Sequence, residues 1–125
     1  IDGENDPAIV SMIAASTALS ISNIPWNGPI AAVRVGRLGG EFILNPVNGE
    51  VAEGDIDLII AGTKDKINMI EAGMKEVPEE DVVAAFAFGH EAIKKITTLI
   101  DEVVAEVGQE KAAPALLAAD PAIEN

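Results

Sequence analysis

Apolar and polar positions alternate along this 125-residue chain in two rhythms, one helical and one extended. The first helical stretch opens at Pro7, after which Ile9, Ile13, Ala14, Ala18 and Ile21 recur at helical spacing. Asn5 and Asp6 supply N-caps, and Pro7 suits the first turn, where its missing N–H breaks no bond. The pattern stops by Asn23, ahead of Pro25. Small residues such as Ala14, Ala15, Ser16 and Ser20 let this helix approach another element closely.

A longer helical stretch begins at Pro78, Glu79, Glu80 and Asp81, which put a proline and three negative charges where the helix dipole favours them. Val82, Phe86, Gly89, Ile93, Ile96, Ile100, Val103 and Val107 then form one stripe, ending at the C-cap candidate Gly108. At 1.5 Å per residue it is roughly 40 Å long, enough to cross a sheet. A coiled coil is the competing reading, but Glu and Lys do not flank the stripe as that arrangement requires. Between the helices the rhythm changes to strand-like runs over 30–38, 41–45, 57–62 and 67–73. Gly39-Gly40 is a two-residue hairpin turn, and Asn48-Gly49 marks a second turn. Links this short force antiparallel pairing, because a parallel crossover needs a dozen or more residues. The pattern therefore predicts an α+β fold, an antiparallel sheet packed by helices, with both helices on one side of it. Residues 111–125 are rich in Ala and Pro and read as a linker or the start of another unit.

Composition narrows the chemistry. Cysteine is absent, which excludes disulfides, thiolate nucleophiles and Cys-ligated zinc. The formal charge is -13, from 21 acidic and 8 basic residues, which excludes a free-standing nucleic-acid binder of the basic-patch kind and disfavours attachment to an anionic membrane. No run reaches the roughly 18 apolar residues of a membrane span. Aromatics are only 3%, leaving Ala, Val, Ile and Leu to build the core. The sole histidine, His90, has no histidine or cysteine partner at helical spacing and reads as a packed or surface-capping residue. The glycines of 36–40 lie between two strands, not between a strand and a helix, so they form a hairpin and not a phosphate loop. An acyl-carrier protein is excluded because no Asp-Ser-Leu string opens a helix. Carboxylates gather only at Glu50, Glu53, Asp55 and Asp57. Asp55 and Asp57 share a face if extended and could offer two oxygens to Mg²⁺, but spacing alone favours a solvated turn leading into a strand.

Several strings go further. ENDPAIVSMIAASTALSIS, IPWNGPIAAVRVG, EFILNP, DIDLIIAGT and FGHEAIKKI stand in an order and spacing that resemble the polynucleotide phosphorylase family. The match is to the later part of the first of its two RNase PH-like core domains, and it covers about residues 3–108; Trp26 stands where that family commonly has Phe. The resemblance implies a partial RNase PH-like fold over 1–108, with 109–125 a linker or the start of a helical domain. It implies a parent enzyme that degrades mRNA from the 3′ end with inorganic phosphate, using Mg²⁺ or Mn²⁺. That parent would be a cytoplasmic homotrimer with RNA, and with RNA-degradation machinery, as partners. It also implies what this piece lacks. The active core of the family carries an Asp, a second Asp after five intervening residues, and a Lys two further on, ahead of an Ala-Gly-Thr string. Counted back from Ala61-Gly62-Thr63, these positions hold Val51, Asp57 and Ile59. Only Asp57 survives, as a vestigial candidate, so the resemblance implies an inactive scaffold piece with no catalytic set and no metal of its own. The alternative is an independent acidic interaction module without catalytic activity.

Overall fold

The computed structural model describes residues 2–114. Its elements run α1 (Pro7–Ile21), β1 (Ala31–Leu38), β2 (Glu41–Leu44), α2 (Asn48–Glu53), β3 (Ile56–Gly62), β4 (Ile67–Met74) and α3 (Glu79–Val107). Each expected strand falls within a residue or so of its place. The strands form one sheet in the order β2-β1-β3-β4, and every neighbouring pair is antiparallel. Gly39 and Gly40 both have positive φ, at 60° and 88°, as a type I′ hairpin turn requires. Asn48-Gly49 does not form the expected turn; it opens the short helix α2. There the Glu50 carboxylate accepts the Val47 N–H at 2.9 Å, satisfying a donor that would otherwise be orphaned at the helix start.

The two long helices do not lie on one side of the sheet. On β1, Ala31, Val33 and Val35 point into a core shared with Ile56, Leu58 and Ile60 of β3 and with Ala85 and Ile93 of α3. On the alternate positions, Ala32 and Ala61 pack against Ile9 of α1, with Met12, Ile13 and Ile59 alongside. Neighbours along a strand face opposite ways, so α1 and α3 cover opposite faces. The sequence carried this signal: β1 and β3 are apolar at almost every position, the mark of a strand buried on both sides.

The buried line of α3 also differs from its apolar stripe. Ala85, Gly89, Ile93, Thr97 and Ile100 are buried, whereas Phe86 and Ile96 are half-buried and Val107 is 59% exposed. The helix rests on its small residues, because the backbone comes too close for larger ones. A Cβ placed on Gly89 would stand 2.7 Å from Ile60 Cδ1 and 2.9 Å from Val35 Cγ2. Thr97 sits on this line without penalty because its hydroxyl donates to the Ile93 carbonyl at 3.0 Å. At 29 residues α3 spans about 43 Å, against roughly 26 Å for the eight-residue β1, so it overhangs the sheet. α1 and α3 touch each other as well as the sheet.

Residues 109–114 have no regular secondary structure, and 109–112 bond to the end of α1. The remainder of the expected linker or helical segment, 115–125, falls outside the described residues.

Candidate functional site

Asp57 and Ile59 alternate on β3 toward the α1 face, and Arg34 of β1 stands directly across from Ile59 in the pairing register. With Glu71, Ala72 and Gly73 of β4 they line a cleft of about 280 Å³. Asp57 does not face that cleft as a free carboxylate. Arg34 Nε donates to Asp57 Oδ1 at 2.7 Å and Arg34 Nη2 to Oδ2 at 2.8 Å, a bidentate pair. The third guanidinium nitrogen, Nη1, donates to Asp6 Oδ2 at 3.1 Å. Asp6 meanwhile caps α1 by accepting the Ala8 N–H at 2.9 Å. One arginine in the middle of the sheet thus joins β3 to the first turn of α1.

A second arginine does the same on the opposite face. Arg37 Nε and Nη2 donate to the two carboxylate oxygens of Asp55 at 2.9 and 2.7 Å, and Nη1 to Asp81 of α3 at 2.7 Å. The carboxylate cluster seen in the sequence is therefore divided. Asp55 is outside the strand and turns toward α3, Asp57 turns toward α1, and Glu50 caps α2. The expectation that Asp55 and Asp57 share a face fails because the extended backbone begins only at Ile56.

Hydrogen bonds from Arg34 and Arg37 hold the Asp57 and Asp55 carboxyls below the ordinary carboxylate range. A depressed folded value stabilises the native state above the unfolded pKa, near 3.9, and that stability is lost as pH falls through the folded value. Asp57→Asn lacks this contribution at every pH. The stability gap between wild type and Asp57→Asn should therefore be widest near neutrality and shrink as pH drops below about 4. Thermal melts of both proteins across that range measure it, and a gap that grows on acidification would refute the ion pair.

Of the three positions singled out by the family resemblance, the structure brings only Asp57 and Ile59 to the cleft. Val51 is half-buried in α2 and is not part of the cleft lining. Ile59 packs against the cluster of Ile9, Ala32 and Ala61, while Arg34 and Glu71 flank it across the neighbouring strands. The residues present do not fit the Mg²⁺ or Mn²⁺ that the resemblance implies. Both Asp57 oxygens already accept from Arg34, Val51 and Ile59 carry no donor atom, and no group of three metal-ligating side chains occurs among the described residues.

Sequence reasoning missed Arg34 and Arg37 as the organising groups. The signal was present in β1, where two arginines interrupt an otherwise apolar run and so demand acidic partners from neighbouring elements. His90 Nε2 lies 3.2 Å from the Thr63 carbonyl, tying α3 to the turn after β3. Because a carbonyl only accepts, Nε2 carries the proton there. Among the described residues no helix is long and apolar enough to cross a membrane.

The sequence profile described as "3′ exoribonuclease family, domain 2" matches residues 28–92, more than half of the chain. That interval runs from the segment before β1 into the middle of α3, and so contains the whole sheet. Among curated relatives, the "Polyribonucleotide nucleotidyltransferase" of Exiguobacterium sibiricum is 49% identical over 124 residues, which is 99% of this chain and 17% of that protein. Proteins with the same name from Geobacillus kaustophilus and Shouchella clausii are 46% and 52% identical, over 99% and 88% of this chain. The chain spans only about 17% of the length of these relatives. With the profile laid over its sheet and the first half of the helix that covers it, this chain belongs to the 3′ exoribonuclease family, in its domain 2.

Proposed function

We propose that this chain is the non-catalytic scaffold core of a phosphate-dependent 3′-to-5′ exoribonuclease, a polyribonucleotide nucleotidyltransferase acting in mRNA degradation. One observation carries the reading: the single surviving carboxylate of the expected catalytic set, Asp57, has both oxygens engaged by Arg34. An acid so held neither gathers a cation nor exchanges a proton near neutral pH, so its contribution is mechanical. The names of the relatives support the parent activity, and the apolar residues at Val51 and Ile59 support the absence of chemistry in this core.

In this reading RNA and inorganic phosphate are the substrates of the whole enzyme, which works as a cytoplasmic homotrimer together with other RNA-degradation proteins. Mg²⁺ or Mn²⁺ serves a catalytic core elsewhere in that enzyme. A formal charge of -13 repels RNA, so the cations that grip it belong to other segments.

The test is phosphorolysis of poly(A) by the full-length enzyme carrying Asp57→Asn, with rates normalised to folded protein. The rate constant should stay within about threefold of wild type, whereas losing a group that stabilises transition-state charge costs about a hundredfold or more. A hundredfold loss with stability intact would make Asp57 catalytic and end the scaffold reading.

A further inference from the structure

The C-terminus of α1 is capped only in part from within: the Ser22 N–H donates to the Ala18 carbonyl at 3.2 Å and the Ser22 hydroxyl to the Leu19 carbonyl at 2.9 Å. No basic residue occupies its last turn, and its C-cap, Ser22, is extended, at φ -77° and ψ 171°. Helix ends leave their last carbonyls without intrahelical donors, and those carbonyls carry the negative end of the helix dipole. Here they are met by a segment about ninety residues away in sequence. Lys111 Nζ donates to the carbonyls of Leu19 and Ser20 at 2.9 Å each and to that of Ser22 at 2.6 Å. The backbone N–H of Gln109 donates to Ile21 at 2.9 Å, and that of Ala112 to Asn23 at 2.8 Å. Every carbonyl from Leu19 to Asn23 thus accepts a hydrogen bond from residues 109–112.

We infer that Lys111 pins residues 109–112 as a fixed strap across the end of α1, tying α1 to α3 and setting the direction in which the chain leaves this domain. The segment just after α3 is therefore a rigid joint and not a slack linker. Its geometry starts at Gly108, whose extended backbone at φ -66° and ψ 149° ends α3 and turns the chain toward α1. The tie matters because the two helices cover opposite faces of the sheet, and the strap joins them with hydrogen bonds that do not pass through the sheet. A lysine suits the pin: three donors on one compact ammonium fit three carbonyls converging from a helix end, which a planar guanidinium does not.

The test is amide hydrogen exchange, residue by residue, on the 125-residue chain. In wild type the amides of Gln109 and Ala112 should be protected, although both residues lie outside helix and sheet. Lys111→Met should speed their exchange by about tenfold or more, the scale of losing a set of charge-assisted bonds, while Leu58 and Ile60 in β3 keep their protection. Lys95→Met removes the same charge from an exposed site on α3 and should leave Gln109 and Ala112 unchanged. Free-peptide exchange at those amides in wild type, no response to Lys111→Met, or an equal response to Lys95→Met would each overturn the strap.

Discussion

Truncating Leu58 to alanine should lower the unfolding free energy by about 2–5 kcal/mol, through lost apolar transfer and the cavity left behind. Leu58 is in β3, between β1 and β4, and pairs with Val35 on one side and Ala72 on the other. Its side chain is 0% exposed and belongs to the core beneath α3. Neighbours on a sheet cannot collapse far into a void, because ladder hydrogen bonds fix their backbones. Domains of this size have total stabilities of about 5–15 kcal/mol, so the variant should melt about 10 °C or more below wild type. In urea the midpoint should fall with the slope unchanged. Val10→Ala is the matched control. Val10 is 69% exposed on α1, and its truncation should change stability by no more than about 0.5 kcal/mol. Equal effects at the two positions would mean that the core has been assigned to the wrong face of β3.

Replacing Gly89 with leucine should cost about 2–3 kcal/mol, and the reason is distance. The missing Cβ leaves room for Ile60 and Val35 to press against the backbone of α3. Leucine adds four carbons there, forcing either off-rotamer side chains or a lift of the helix from the sheet. Alanine is the informative intermediate, because its better helix propensity, about 1 kcal/mol, opposes the clash of its Cβ. Ile60→Val removes the Cδ1 atom, which would stand closest to that Cβ. The cost of Gly89→Ala should accordingly shrink in the Ile60→Val background, a coupling that denaturant titration of all four proteins measures. Additivity within about 0.3 kcal/mol, or a leucine variant as stable as wild type, would show that α3 does not sit so close.

Much of the molecule was legible in the order of its residues. The hairpin at Gly39-Gly40 rests on two residues that must both take positive φ, which is local chemistry. Asp6 and Pro7 start α1, and Pro78 with three acids starts α3, because helix ends are set by groups within a turn of them. Counting back from Ala61-Gly62-Thr63 to Val51, Asp57 and Ile59 likewise needs only the order of the residues, once the family resemblance sets the register. These features depend on neighbours in sequence, so the sequence alone determined them.

The tertiary structure decided the rest, because the deciding partners are far apart along the chain. Which faces the helices cover was ambiguous, since a continuously apolar strand does not say which element lies on which side. The stripe already held Gly89, Ile93 and Ile100, but Ala85 and Thr97 joined the buried line in place of Phe86 and Ile96, because closeness to β1 and β3 selects small residues, whereas a periodicity of hydrophobic residues selects large ones. Arg34 meets Asp57 across 23 residues and Asp6 across 28, so the pairing of the Asp57 carboxylate was set by strand pairing and helix docking. Lys111 reaches the carbonyls of α1 across about ninety residues, and only the fold brings that ammonium to the end of that helix.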